Sequence, residues 1–303
     1  MKIAVPDMVS NSYFPAIAAV ELGHFREEGL DVELEALFPV DKAYSALRDG
    51  QVALVAGSAH SALAAFPQWD GVTLLCAQGQ GMYWFLVMRA DLYRGRGNLD
   101  VVKGSRIGAA PWVDLGLRRL LAASGIDIVR ESVQIAPVAA ASTPGVSFGV
   151  SAAKALEDGN IDGFWANGMG AEVAVRRGVG KIVLDIRRGD GPPGCFNYTM
   201  SSVAATDRLI AQMPHLPRAV TGAIAKTHTA LKKNPELATG IGRKLFPAYE
   251  ADLIAELVRR DLPYYDTCIS RDFVTEMNQF SRDMGILDDD VPYDKIVAHR
   301  HSC

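Results

Sequence analysis

The side chains able to do chemistry in this 303-residue chain gather just past short apolar runs. Asn11, Ser12, Tyr13 and Phe14 follow the run at residues 2–5, and Ser58 and His60 follow the run at 52–55. Gln78, Gln80, Tyr83 and Trp84 come after residues 72–76. Trp112 and Asp114 come after 106–109, Trp165 and Asn167 follow a later short run, and Asn197 and Tyr198 lie further on. Aromatic walls with a few convergent polar groups are what a small-molecule pocket needs. Trp84, Trp112 and Trp165 suit a flat ring, and Asp114 could accept from a ligand amine. His60 is the sharpest choice, as a hydrogen-bond partner in a binder or a proton carrier in an enzyme. Cys195 would be a nucleophile if His60 served as its base. The same residues also have a plainly structural reading: aromatics as core, His60 bonded within a helix's first turn, Cys195 as a buried thiol, Asp114 as a helix cap. The set contains no Lys or Arg. An acidic ligand group would therefore rely on the backbone amides of helix N-termini behind Ser12, Ser58 and Asp114.

Composition narrows the function classes. The chain is 49% hydrophobic, enough to bury a full core, and its length favours two domains. A net charge of −4 with scattered basic residues argues against a nucleic-acid partner and for a small-molecule one. No apolar run approaches the roughly 18 residues of a membrane span, so no membrane insertion is expected. Met1 is followed too soon by Pro6-Asp7 for a secretory leader. The expectation is therefore an extracytoplasmic protein if a leader has been removed, and a cytoplasmic one if Met1 is the true start. The four cysteines, Cys76, Cys195, Cys268 and Cys303, show neither disulfide-framework nor zinc spacing. The tail 299–303 reads as a frayed end rather than a metal site. Gly79-Gln80-Gly81 lacks the rest of a dinucleotide fingerprint, and Gly180-Lys181 lacks a phosphate loop's other residues, so no cofactor is expected.

The elements that must position the set alternate as strand and helix. Residues 46–57 (Ala-Leu-Arg-Asp-Gly-Gln-Val-Ala-Leu-Val-Ala-Gly) recur in altered form at 155–168. Each copy reads as a helix end, a glycine stop at Gly50 or Gly159, a short strand and a small-residue loop. Two such units predict two α/β lobes with mixed, mostly parallel sheets, each offering loops at the carboxyl ends of its strands. Asn11 or Ser12, Asp41, Asp114 and Ser151 are the expected helix caps. A Pro/Gly/Ser loop is expected over 139–149, and residues 195–203 read as a strand returning to the first lobe. From Asp207 onward the chain reads as helices, at 216–233, 235–244, 249–260 and 270–284, forming a structural tail. The expected domains are 1–88 plus 200–303 for lobe one with its tail, and 89–199 for lobe two.

The run from Pro15 to Leu34, an apolar helix followed by Gly23-His24-Phe25 and Gly29-Leu30-Asp31-Val32, carries a family resemblance. It resembles the N-terminal signature of the nitrate/sulfonate/taurine and thiamine-pyrimidine substrate-binding proteins. Residues 46–57 and 155–167 extend the resemblance over nearly the whole chain. It implies a type II periplasmic-binding-protein fold, a ligand held between the lobes, and an ABC permease as partner. The same fold carries enzymes, among them pyrimidine synthases, desulfinases and a dehydratase. Ala59-His60-Ser61 is similar to the synthase's histidine segment. The lysine that family needs before the histidine is absent here, where Ala56-Gly57-Ser58-Ala59 stand. Its cysteine cluster is reduced to Gly194-Cys195-Phe196-Asn197. The expectation is a binder of a small planar ligand, with His60 and Cys195 as the enzymatic alternative.

Overall fold

The duplicated phrase folds twice in the same way. In the computed structural model, which describes residues 1–139 and 147–298, the first copy ends helix α3 (Val40–Arg48) and the second ends α5 (Phe148–Glu157). Gly50 and Gly159 both take φ of +72°, a left-handed value that glycine adopts without steric cost. The Gly50 and Gln51 N–H groups donate to the Leu47 and Ala46 carbonyls, and those of Gly159 and Asn160 to Leu156 and Ala155. This is the paired closure that satisfies a helix's last carbonyls.

Each copy then feeds a strand into a five-stranded sheet. The strands are β1 (Lys2–Val5), β2 (Glu33–Ala36), β3 (Leu54–Ser58), β4 (Val72–Gly79), β5 (Phe85–Arg89), β6 (Arg106–Ala109), β7 (Gln134–Ala136), β8 (Gly163–Ala166), β9 (Gly180–Asp185) and β10 (Ser201–Thr206). One sheet has the order β2-β1-β3-β10-β4, the other β7-β6-β8-β5-β9. In each, the first three strands pair in parallel and the fourth runs antiparallel to both neighbours. Both sheets are mixed, with one opposed strand inserted among parallel ones. The first belongs to a unit made of Met1–Gly81 and the chain from Asn197 on, the second to a unit of Met82–Phe196.

Helices cover the sheets, most by one apolar stripe, whereas the first of them buries six consecutive residues, Phe14 to Ala19. In the first unit these are α1 (Phe14–Glu21), α2 (His24–Glu27) and α3; in the second, α4 (Val113–Ala123), α5 and α6 (Gly168–Arg176). After β10 come α7 (Asp207–Gln212), α8 (Leu216–Lys233), α9 (Leu237–Leu245), α10 (Ala248–Asp261), α11 (Arg271–Asp283) and α12 (Tyr293–Ile296). Helix α8 buries Leu216, Val220, Ile224 and Leu231 and packs on α1, α2 and β4. The helical tail is thus part of the first unit's core.

Several local expectations are corrected. Helix α1 starts after Tyr13 without a side-chain cap, and α3 after Pro39, with Asp41 already in its first turn. Trp112, at φ +68°, precedes α4, so Asp114 is likewise a first-turn residue. Ser147, not Ser151, caps α5. Acidic and hydroxyl residues favour both the cap and the first turn, so residue type does not separate the two. Ser58 opens a 3₁₀ helix, Ala59–Ala64, rather than an α-helix. Residues 195–197 form a 3₁₀ turn, and the returning strand begins only at Ser201. Cys76 and Cys195 are free, but Cys268 is disulfide-bonded. A disulfide demands proximity in space and no particular spacing in sequence, which is why counting cysteines missed it. The tail 299–303 and most of the loop expected at 139–149 lie outside the described residues. Among the described residues no helix is long and apolar enough to cross a membrane, and no cluster of metal-ligating side chains occurs.

Candidate functional site

In the first unit, β1, β3 and β4 end along one edge of the sheet, and Ser201 of β10 stands there opposite both Ser58 and Gly79. Ligands bind at this edge of open α/β sheets. The loops leaving it are buried and polar. Asn11 donates from Nδ2 to Asp261 Oδ2 at 2.6 Å. The Ser58 and Ser61 hydroxyls are 2.6 Å apart, and the Ser58 carbonyl accepts from Tyr44 Oη. His60 is fully buried, with Nδ1 3.0 Å from Thr199 Oγ1 and Nε2 3.5 Å from Ser61 Oγ. Its ring meets Phe280 edge-on at 5.3 Å, and Phe280 stacks on Tyr198 at 4.9 Å.

Gln78 ties this edge together: Oε1 accepts from the Ala16 N–H, Nε2 donates to the Ser202 carbonyl, and its own carbonyl lies 2.9 Å from His228 Nε2. Burial pushes His228 down to about 4, and its ring stacks on Tyr265. The hydroxyls of Ser12, Ser201 and Ser202 are buried without a hydrogen-bond partner. Tyr13 is also buried here. Two residues of the expected set do other work. Phe14 packs edge-on against Phe246 in the core, and Gln80 Nε2 donates to the carbonyls of Asp266 and Cys268.

The equivalent edge of the second unit is aromatic. There β6 and β8 end at Ala109 and Ala166, β9 ends at Asp185, and Phe85 opens β5 opposite Ala166 and Asp185. Tyr83 contacts Trp84 at 5.0 Å between ring centroids, and Trp84 contacts Trp165 at 6.0 Å, both edge-on. A Cβ on Gly116 would lie 2.9 Å from Trp84 Cζ3, so the missing side chain lets α4 approach this ring. Trp165 is fully buried and donates from Nε1 to the Val113 carbonyl at 3.1 Å. Asn167 caps α6, its Oδ1 accepting from the Met169 and Gly170 N–H groups. Asp114 accepts from Arg118 Nε at 2.7 Å, which ties its carboxylate to its own helix. Trp112 and Asn197 are half-buried.

Cys195 lies in this unit, whereas His60 belongs to the first. Burial pushes the Cys195 thiol up to about 11, and its Sγ faces the Asp190 carbonyl at 3.6 Å. At neutral pH such a group is roughly one part in 10⁴ thiolate, the wrong state for a nucleophile.

Sequence reasoning missed four members of these edges: Thr199, Ser201, Asp261 and Arg187. Arg187 places a cation at the second unit's edge, beside an expected set that contains none. It follows β9, only 7% exposed, with its guanidinium 5.7 Å from the centroid of the Tyr83 ring. Like the rest of the set it stands just past an apolar run, and the same rule extended to 181–186 would have found it.

The fold has known relatives in shape. The chain is similar to a solved protein of Bordetella bronchiseptica RB50, with 20% identity, 99% of this chain and 94% of that one covered, and a TM-score of 0.76. It is also similar to the periplasmic aliphatic sulphonate-binding protein of Escherichia coli, with 12% identity, 100% and 93% coverage, and a TM-score of 0.72. The desulfurization enzyme DszB, solved with biphenyl-2-sulfinic acid, matches at 15% identity, 99% and 96% coverage, and a TM-score of 0.63. No family model and no curated protein matches the chain. The fold is that of the type II periplasmic binding proteins, shared by import binding components and by an enzyme.

Proposed function

We propose that this protein is a solute-binding protein that recognises a small, flat organic molecule through the side chains at its strand ends. The observation that carries the reading is the pair of hydroxyls of Ser12 and Ser201, buried at the first unit's edge without partners. A buried unsatisfied polar group costs about 1–3 kcal/mol, which a ligand's polar atom would relieve. An ABC permease is the partner this reading implies, because import binding components share the fold.

The shared fold of the desulfurization enzyme keeps turnover as a second reading, against which the protonated Cys195 thiol weighs. One experiment tests both. Aliphatic sulfonates, nitrate and flat aromatic solutes are screened by thermal denaturation, and the ligand's mass is followed for hours. A binder is stabilised by about 2.7 kcal/mol at a hundred times Kd and returns the ligand unchanged. Ser12→Ala weakens that ligand while the protein stays folded. A product that accumulates with wild type would overturn the reading.

A further inference from the structure

We propose that the base of the first unit, where its parallel strands begin, is a second binding site that takes a small carboxylic acid with an apolar chain. The inference is independent of the solute-binding reading, which concerns the opposite end of the same sheet. A cleft of about 360 Å³ opens at this base, between the amino ends of β1 and β3, the carboxyl end of β10 and α7. Its walls include Leu47, Val52, Ala53, Thr206, Arg208 and Leu209.

The second unit shows what the same place holds when it is filled. Counting from Gly50 and Gly159, Ala53 matches Asp162. The strand pairings then match Lys2 with Arg106, Thr206 with Arg89 and Arg208 with Asp91. In the second unit these four positions close on one another. Asp162 accepts from Arg106 Nε at 2.9 Å and from Arg89 Nη1 at 3.3 Å, and Asp91 accepts from Arg89 Nε at 2.7 Å. Arg106 Nη2 also donates to the Gly159 carbonyl at 3.0 Å.

In the first unit both carboxylates are gone, replaced by Ala53 and Arg208. Lys2 pairs with Glu35 at 2.9 Å. The Arg208 guanidinium lies 3.5 Å from the point where a Cβ on Gly50 would stand, and among the described residues it has no carboxylate partner. The base therefore keeps a cation and lacks the acids that answer it in the second unit. A guanidinium meets a planar carboxylate with two parallel hydrogen bonds. An exposed ion pair contributes little by itself, so most of the affinity must come from a chain laid along Leu47, Val52 and Leu209. That combination selects an acid with an apolar chain over a bare inorganic anion.

The test is calorimetric titration of the full chain with hexanoate and its neutral counterpart hexanamide. Wild type, Arg208→Gln, Ala53→Asp and Ser12→Ala are compared, with circular dichroism confirming that each is folded. Wild type should bind hexanoate with a millimolar Kd and hexanamide at least fivefold more weakly. Arg208→Gln should raise the hexanoate Kd at least fivefold by removing the cation. Ala53→Asp should do the same, by restoring within the chain the carboxylate that Asp162 supplies in the second unit. Ser12→Ala, altered at the other end of the sheet, should bind hexanoate as wild type does. Hexanamide binding as tightly as hexanoate, or hexanoate indifferent to Arg208→Gln or to Ala53→Asp, would overturn the site. So would the absence of hexanoate binding up to tens of millimolar. A loss confined to Ser12→Ala would put hexanoate at the strand ends, overturning this inference and leaving the solute-binding reading standing. The wild-type ranking needs no variant, so an unfolded variant would not rescue the inference.

Discussion

At the edge of the first sheet the side chains are small and polar, Ser12, Ser58, Ser61, Ser201 and Thr199, with His60 and Gln78 among them. At the same edge of the second sheet stand Tyr83, Trp84 and Trp165, joined by one guanidinium. The two sheets share one pattern of strand directions, although the inserted antiparallel strand comes last in the chain in the first, β10, and first in the second, β5. Topology therefore decides where the strand ends gather, and side chains alone decide the chemistry there. The difference also reaches energetics. The first edge is held by side-chain hydrogen bonds, one of them to the Asp261 carboxylate, the second largely by ring packing. All six histidines of the chain lie outside residues 82–196, so imidazole protonation acts directly on only one of the two units.

The largest test of that contrast is Trp165→Ala. The indole is fully buried, donates to the Val113 carbonyl and packs against Trp84, so its removal leaves a cavity and an orphaned carbonyl. A loss of about 3–5 kcal/mol is expected in urea unfolding. A loss below about 1 kcal/mol would mean that this edge is not held by packing, and the contrast would fail.

Acid should then separate the units. Burial holds His228 at about 4 against 6.5 in a model compound. Between those values the unfolded chain binds more protons than the folded one. Stability is therefore full above pH 6.5 and is lost as pH falls through 4, by roughly 3 kcal/mol in the limit. The charge that protonation brings would be buried at the first edge, a desolvation cost that the bond from Nε2 to the Gln78 carbonyl only partly offsets. Hydrogen exchange at pH 7 and pH 4.5 should show protection falling more in the first unit than in the second. His228→Phe, which keeps a ring against Tyr265, should flatten the acid slope of the urea midpoint. An unchanged slope would remove His228 from the account.

Much of this contrast is legible in the chain and some is not, for definable reasons. The matched helix ends at Gly50 and Gly159 are local, so the repeated wording carries them whole. Helix α8 is equally plain, since its apolar spacing begins near Pro217 and stops before Asn234-Pro235. The strand-end rule places Ser58, His60 and Trp165 because a strand's last residue is set by its own neighbours. Contacts between distant residues leave no such mark. Asn11 meets Asp261 across 250 positions, and nothing near either one announces the other. The inserted strands are similar: β10 pairs antiparallel with β3 although the whole second unit intervenes in the chain. Nothing in the residues around Arg187, which precedes Arg188-Gly189-Asp190, signals that the fold buries it.

The smallest expected effect bears on whether the second edge has a polar role at all. Asn167 reads from the chain as a ligand contact, yet its Oδ1 already accepts from two N–H groups at the start of α6. Asn167→Ala should cost about 1 kcal/mol, the usual value of a lost cap. Asn167→Ser restores a capping oxygen and should recover most of that. If the residue is a cap alone, both variants keep the affinity of wild type for whichever screened solute binds best, once the folded fraction is taken into account. Should Asn167→Ser be as stable as wild type yet bind several-fold more weakly, the amide touches the ligand. The second edge would then resemble the first more closely than its aromatic row suggests.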